Sequence, residues 1–163
     1  MNALRNTNNT TALFALILIS STVLIDYTYN HLVINTTQSL PERLFWLTNS
    51  KSSDAPSNPK GIIKTGGYAV FTFDHPSITK PLIKKVACNQ GDSLTQQAER
   101  FYCNGNYLVS AKAVDGFGLT PFKFNGEIPQ GSFFAIGTHP ESVDSRYFGL
   151  VKHSAAQAAT PIF

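Results

Sequence analysis

Charge is scarce in this sequence. Charged residues make up 14% of its 163 positions, and the net charge of +3 is spread along the chain without a basic block. Nucleic-acid binding leaves a footprint of clustered Lys and Arg, so no nucleic-acid partner is expected. No spacing of His, Cys, Asp and Glu resembles a zinc site, and no glycine-rich phosphate loop is present. Neither a metal nor a cofactor is expected. The nucleophile elbow G-x-S-x-G is missing. There are no heptads and no repeat with a period of about 20 to 50 residues. Apolar residues, in contrast, make up 42% of the chain, enough to form a core.

One uncharged apolar run stands out, Ala12 to Ile25, ALFALILISSTVLI. Arg5 precedes it and Asp26 follows it. A membrane-spanning helix needs roughly 20 residues, a length reached by Thr10 to Tyr29 with Asp26 near the outer end. Tyr27 and Tyr29 suit an interfacial aromatic belt. Three readings compete. A cleaved signal peptide needs a small-x-small site after the run, but Val23 to Tyr29 is bulky. A buried core helix is allowed by length. An uncleaved signal anchor, positive end inside, fits the charge asymmetry and is the reading adopted. Residues 1–29 are then a cytoplasmic stub and transmembrane anchor in the inner (cytoplasmic) membrane. Residues 30–163 form a domain on the periplasmic or extracytoplasmic face, with the lipid bilayer as one partner.

That second region reads as strand and turn. Twelve Phe residues, with many Val, Thr and Tyr, favour strands. Strands are predicted at Tyr68–Phe73, Pro81–Cys88, Tyr107–Val114 and Ser132–Gly137, with turns at Asn104-Gly105, Asn125-Gly126 and Pro129-Gln130-Gly131. Thr48 to Lys60 is polar and rich in Ser, Pro and Asn, an exposed loop. The tail after Lys152 can form a short helical turn. Many short strands between turns predict a mainly β, barrel-like or sandwich domain.

The reactive groups are few. His31, His75, His139 and His153 show no triad context, and two of them precede proline. Lysine remains as a base. Lys84 and Lys85 lie inside the apolar strand PLIKKVAC and point to opposite faces. Either both snorkel to water from an edge strand, or at least one is buried. Burial lowers a lysine pKa, and a neutral amine near pH 7 can take a proton from a serine hydroxyl. In SVDSRYFGLV, Asp144 and Arg146 lie two apart, hence on one face if extended. Such a pair is usually a structural salt bridge, and it can also fix the walls of a site.

Three segments, in order, resemble the signal peptidase I family, and its TraF-type conjugative-transfer branch most: NTTQSLP (Asn35–Pro41), IKKVACNQGDSL (Ile83–Leu94) and SVDSRYFGLV (Ser142–Val151). The third is the most specific. The resemblance implies a signal-peptidase-like all-β catalytic domain behind one transmembrane helix. It makes Ser39 the nucleophile and Lys84, first of the basic pair, the general base. Asp144 matches a supporting acid and Arg146 its salt-bridge partner. Ser142 matches a hydroxyl that helps hold the lysine, and Thr37 one that can assist the oxyanion hole beside the Ser39 N–H. Two stretches depart from the family pattern. Pro41-Glu42-Arg43-Leu44-Phe45 lacks the usual glycine, and Cys88-Asn89-Gln90 stands where Gly and Pro are common. Both bear on cleft shape more than on chemistry.

The resemblance implies a membrane-anchored serine endopeptidase that prefers small residues before the cut. Its substrate would be an exported preprotein, a conjugative pilin precursor in the TraF branch, where some members join the pilin's ends. A general signal peptidase shares every motif named. A non-catalytic, membrane-anchored assembly scaffold is the reading from another class. Leu40, Leu44, Phe45 and Trp46 either dip into the membrane interface or pack into the core. Cys88 and Cys103 could pair in an oxidising compartment, but spacing alone does not fix their geometry. Oligomeric state is not legible.

Overall fold

The computed structural model describes residues 2–48, 63–76, 78–112 and 119–162, with side chains from residue 10 onward. The chain divides into two compact units, Met1–Leu32 and Val33–Phe163.

The first unit is a helix, α1 (Asn2–His31). Thr10–His31 is long and apolar enough to cross a membrane, and none of it is buried by protein. Leu13, Phe14, Leu16, Ile17, Leu18 and Ile19 are all more than half exposed. The polar residues of the run are satisfied locally. Ser20, Ser21, Thr22 and Thr28 each donate their hydroxyl to a carbonyl three or four residues back. In lipid, where water cannot serve, such back-bonding removes the penalty of a free hydroxyl.

The second unit is built from two antiparallel sheets. The larger contains β1 (Leu32–Ile34), β2 (Leu44–Leu47), β3 (Tyr68–Phe71), β4 (Leu82–Asn89), β9 (Ser132–Ile136), β10 (Val151–Lys152) and β11 (Ala156–Pro161). Their order is β1-β2-β11-β3-β4-β9-β10. The smaller contains β5 (Ser93–Gln97), β6 (Arg100–Cys103), β7 (Asn106–Ser110) and β8 (Gly126–Glu127), in the order β7-β6-β5-β8. A short helix, α2 (Ser145–Phe148), follows β9.

β9 explains how the layers fit. Its sequence SFFAI is apolar without alternation, which a strand tolerates only when both faces are covered. Phe133 and Ala135 enter one core cluster with Phe71 and Val86. Phe134 enters another with Leu94, Phe101 and Ile128 from the smaller-sheet region. β6 and β7 are joined by the two-residue turn Asn104-Gly105, both at positive φ (49° and 79°). An Asn-Gly pair suits such a hairpin because both tolerate the left-handed region. The Cys88–Cys103 disulfide links β4 to β6, and therefore one sheet to the other.

The fold is mainly β, as the sequence predicts, but several details differ. Asp144 and Arg146 are not on an extended strand: Asp144 caps α2, and Arg146 lies inside it. The tail makes only a single 3-10 turn, His153–Ala155, and then becomes β11, paired between β2 and β3. Its Ala-rich sequence gives no strand signal; the flanking strands decide. The predicted strand at Tyr107–Val114 runs over Asn106–Ser110, and residues 113–118 lie outside the described residues. The expected loop at Thr48–Lys60 also falls outside them, apart from Thr48. Leu40 and Phe45 pack into a core cluster with Ile83 and Ala159, while Leu44 and Trp46 are half-buried.

Candidate active site

The loop between β1 and β2, residues 35–43, carries Ser39. Asn35 organises it. The Asn35 amide donates to the carbonyls of Leu40 and Glu42 at 3.2 and 3.0 Å. Its Oδ1 accepts from the N–H and the hydroxyl of Thr37 at 3.1 and 2.9 Å. The Arg43 guanidinium donates to the Thr37 carbonyl at 2.8 Å. Glu42, at the loop's end, accepts from the Tyr68 hydroxyl at 2.6 Å. Burial and that carboxylate push the Tyr68 pKa up to about 12. Leu40 anchors the loop in the apolar cluster that contains Ile83 of β4. Ser39 is buried, and its Oγ lies 2.8 Å from Thr37 Oγ1.

Lys84 lies on β4, next to Ile83. The two lysines have opposite fates: Lys84 is 3% exposed, whereas Lys85 faces solvent. Alternation along the strand separates them. Lys84 pairs across the sheet with Ala69, a small residue that leaves room beside the long side chain. Among the described residues its one hydrogen-bond partner is Ser142 Oγ, which accepts from Nζ at 2.9 Å. Burial drives the Lys84 pKa down to about 8; the Asp144 charge works against this and that of Arg146 adds to it.

Ser142 is held by the segment between β9 and α2. Asp144 and Arg146 are both fully buried and form an ion pair of 2.7 Å. Asp144 accepts from Arg146 N, Nε and Nη2 and from the Gly137 N–H. Arg146 donates further to the carbonyls of Ser110, His139, Pro140 and Ser142. A buried charge pair is tolerable only when its remaining hydrogen-bond capacity is filled in this way. Among the described residues the pair makes no hydrogen bond or ion pair with Lys84; it fixes the backbone from which Ser142 reaches it. The same segment grips the serine loop, because the Thr138 N–H donates to the Ser39 carbonyl at 2.7 Å. Gly137 makes that approach possible: a Cβ there would lie 2.7 Å from the Ser39 carbonyl oxygen and collide with the Ser142 side chain.

Ser39, Thr37, Lys84 and Ser142 all line one cleft of about 610 Å³, which Val33, Ile78, Leu82 and Val143 make largely apolar. All six residues singled out from the sequence thus belong to one region. Two expectations meet a different geometry. No hydrogen bond joins Ser39 Oγ to Lys84 Nζ; each has another partner, Thr37 and Ser142. The Ser39 N–H makes a long contact, 3.4 Å, to Thr37 Oγ1. Asn35 was missed by sequence reasoning. Its signal was the Asn-x-Thr order, since an Asn side chain commonly bonds backbone two residues on.

A family model described as signal peptidase, peptidase S26, matches residues 4–162. Among solved structures, a signal peptidase I from Enterococcus faecalis V583 is similar at 20% identity and a TM-score of 0.41. That match covers 60% of this chain and 95% of the other. The search of curated proteins finds no match.

Proposed function

The chain belongs to the signal peptidase, peptidase S26 family, and from that premise we propose that it is a single-pass membrane endopeptidase working through Ser39 and Lys84. The observation that carries this reading is the environment of Lys84. A lysine with its pKa lowered to about 8 is neutral in an appreciable fraction near pH 7, and it sits in the same cleft as a buried serine. Structural lysines normally keep their charge in water.

In the proposed mechanism a peptide lies in the apolar cleft and Ser39 Oγ attacks its carbonyl carbon. The serine proton passes to neutral Lys84 Nζ. The tetrahedral oxyanion is met by the Ser39 N–H. Lys84 then returns the proton to the leaving amine, the C–N bond breaks, and an acyl-enzyme remains. A water, deprotonated by Lys84, attacks the ester and releases Ser39. Ser142 holds the amine in place, and the buried Asp144–Arg146 pair holds Ser142. The apolar walls suit small side chains next to the cut.

The helix Thr10–His31 supports anchoring in the bilayer, with residues 30–163 on the outer face of the cytoplasmic membrane, since Arg5 precedes the span. Exported preproteins are the substrate class the family implies. Within it we assign a conjugative pilin precursor, on the likeness of NTTQSLP and SVDSRYFGLV to the TraF branch.

The test is cleavage of a pilin precursor and of an unrelated presecretory protein, read by product mass, for wild type, Ser39→Ala and Lys84→Ala. Loss of product in both variants, with membrane insertion unchanged, supports the pair. Cleavage of the pilin precursor alone supports the dedicated enzyme, and cleavage of both supports a general signal peptidase. A pilin product lighter by one water reports end-joining. Normal processing by Ser39→Ala would sink the mechanism and favour the scaffold.

A further inference from the structure

The hydroxyl protons around Ser39 can be assigned from the heavy atoms alone. The Asn35 amide has one orientation, because its Nδ2 faces two carbonyls, those of Leu40 and Glu42. Its Oδ1 therefore faces Thr37 and can only accept. Thr37 has one hydroxyl proton, and it is committed to Asn35 Oδ1 at 2.9 Å. The 2.8 Å contact between Thr37 Oγ1 and Ser39 Oγ then has a single sense: Ser39 donates and Thr37 accepts. The proton that must leave Ser39 points at Thr37, while Lys84 Nζ is bonded to Ser142.

We propose that Asn35 is a positioning residue that, through Thr37, locks the Ser39 hydroxyl in a resting orientation, its proton turned away from Lys84, until it rotates for attack. This rests on Ser39 being the nucleophile. It also gives Thr37 a different task from oxyanion binding. A hydroxyl whose only proton is held by a buried amide, 6% exposed, accepts from the serine and has none to give to the substrate. Asn35 is suited to this because all of its donors and acceptors are used inside one loop, so its amide cannot turn over without breaking four hydrogen bonds.

The test uses the full chain in detergent micelles and p-nitrophenyl acetate as probe. Ser39 Oγ forms the acetyl ester, the bond to p-nitrophenolate breaks, and the serine proton goes to Lys84. Nitrophenolate release and intact mass report the acylation rate. Ser39→Ala is the control on the premise: if it is acetylated at the wild-type rate, the nucleophile is wrong and the proposal falls with it. With that control silent, Thr37→Val, which removes the acceptor but keeps the shape, is expected to acylate about three- to tenfold faster, the worth of one neutral hydrogen bond released. An unchanged rate overturns the lock. A fall of about 100-fold also overturns it and returns Thr37 to the oxyanion hole. Asn35→Ala is then made in both backgrounds. If Asn35 acts on the serine through the Thr37 hydroxyl, its effect on the rate shrinks to less than twofold in Thr37→Val; equal effects in both backgrounds mean a merely structural role and overturn the proposal.

Discussion

Lys84 carries the strongest physical signature of any single residue. Its pKa is about 8 when folded and 10.5 when exposed. Between those values the unfolded chain holds a proton that the folded chain lacks, so stability rises with pH across that window. The penalty for burying the ammonium is fully present below pH 8 and vanishes above 10.5; it amounts to roughly 3 kcal/mol. Lys84→Met should therefore be more stable than wild type at pH 7, by about 1 to 3 kcal/mol in urea unfolding, with the advantage fading as pH approaches 10.5. A Met variant that is no more stable would show that burial is not what lowers the pKa. Activity has the same origin and the opposite consequence. In the proposed mechanism the neutral amine is the base, so kcat/KM should rise with pH to a plateau, with an acidic limb near pH 8. Gly137→Ala pushes against both the Ser39 carbonyl and the Ser142 side chain. It should lower kcat/KM at least tenfold, which steady-state peptide assays would read, and move the acidic limb as Lys84 loses its fixed partner.

At the scale of elements, α2 and the segment before it form the clamp of the site. Its design rests on the Asp144–Arg146 pair, and breaking such a pair from one side leaves a buried charge uncompensated. Asp144→Asn should cost about 3 to 5 kcal/mol in denaturant unfolding, far more than the loss of an exposed ion pair. The residues of this clamp were legible in SVDSRYFGLV, but their conformation was not. Spacing by two suggested a shared strand face, whereas Asp144 turns back to cap the helix and reaches Arg146 there. Strand β4 was legible in PLIKKVAC because branched and apolar residues bound it, yet which lysine is buried depends on the register against Ala69 and on the cover above. β11 was not legible at all: AQAATP has no strand pattern of its own, and its neighbours impose one. Asn35 stayed hidden because the hydrogen bonds that define it close only when the loop does.

The unit Val33–Phe163 is two sheets with the candidate site on one of them. Ser39, Lys84 and Ser142 come from segments tied to the larger sheet, while β5 to β8 form the smaller one. The disulfide joins the two, from Cys88, four positions beyond Lys84 on the same strand, to Cys103 of β6. Its effect on stability acts largely through the unfolded chain, which it holds closed across 15 residues of separation. Replacing both cysteines with serine should therefore lower stability by roughly 3 kcal/mol in urea unfolding. The site should barely notice. Lys84 is buried on β4 and held by Ser142, and the cross-link takes no part in that hydrogen bond. The acidic limb near pH 8 is expected to stay where it is in the double-serine variant, measured well below the unfolding midpoint. A limb that moves toward 10.5 would mean that the smaller sheet, pressed on by the disulfide, keeps water away from the lysine, and that the proposed base is set by the packing of the two sheets together.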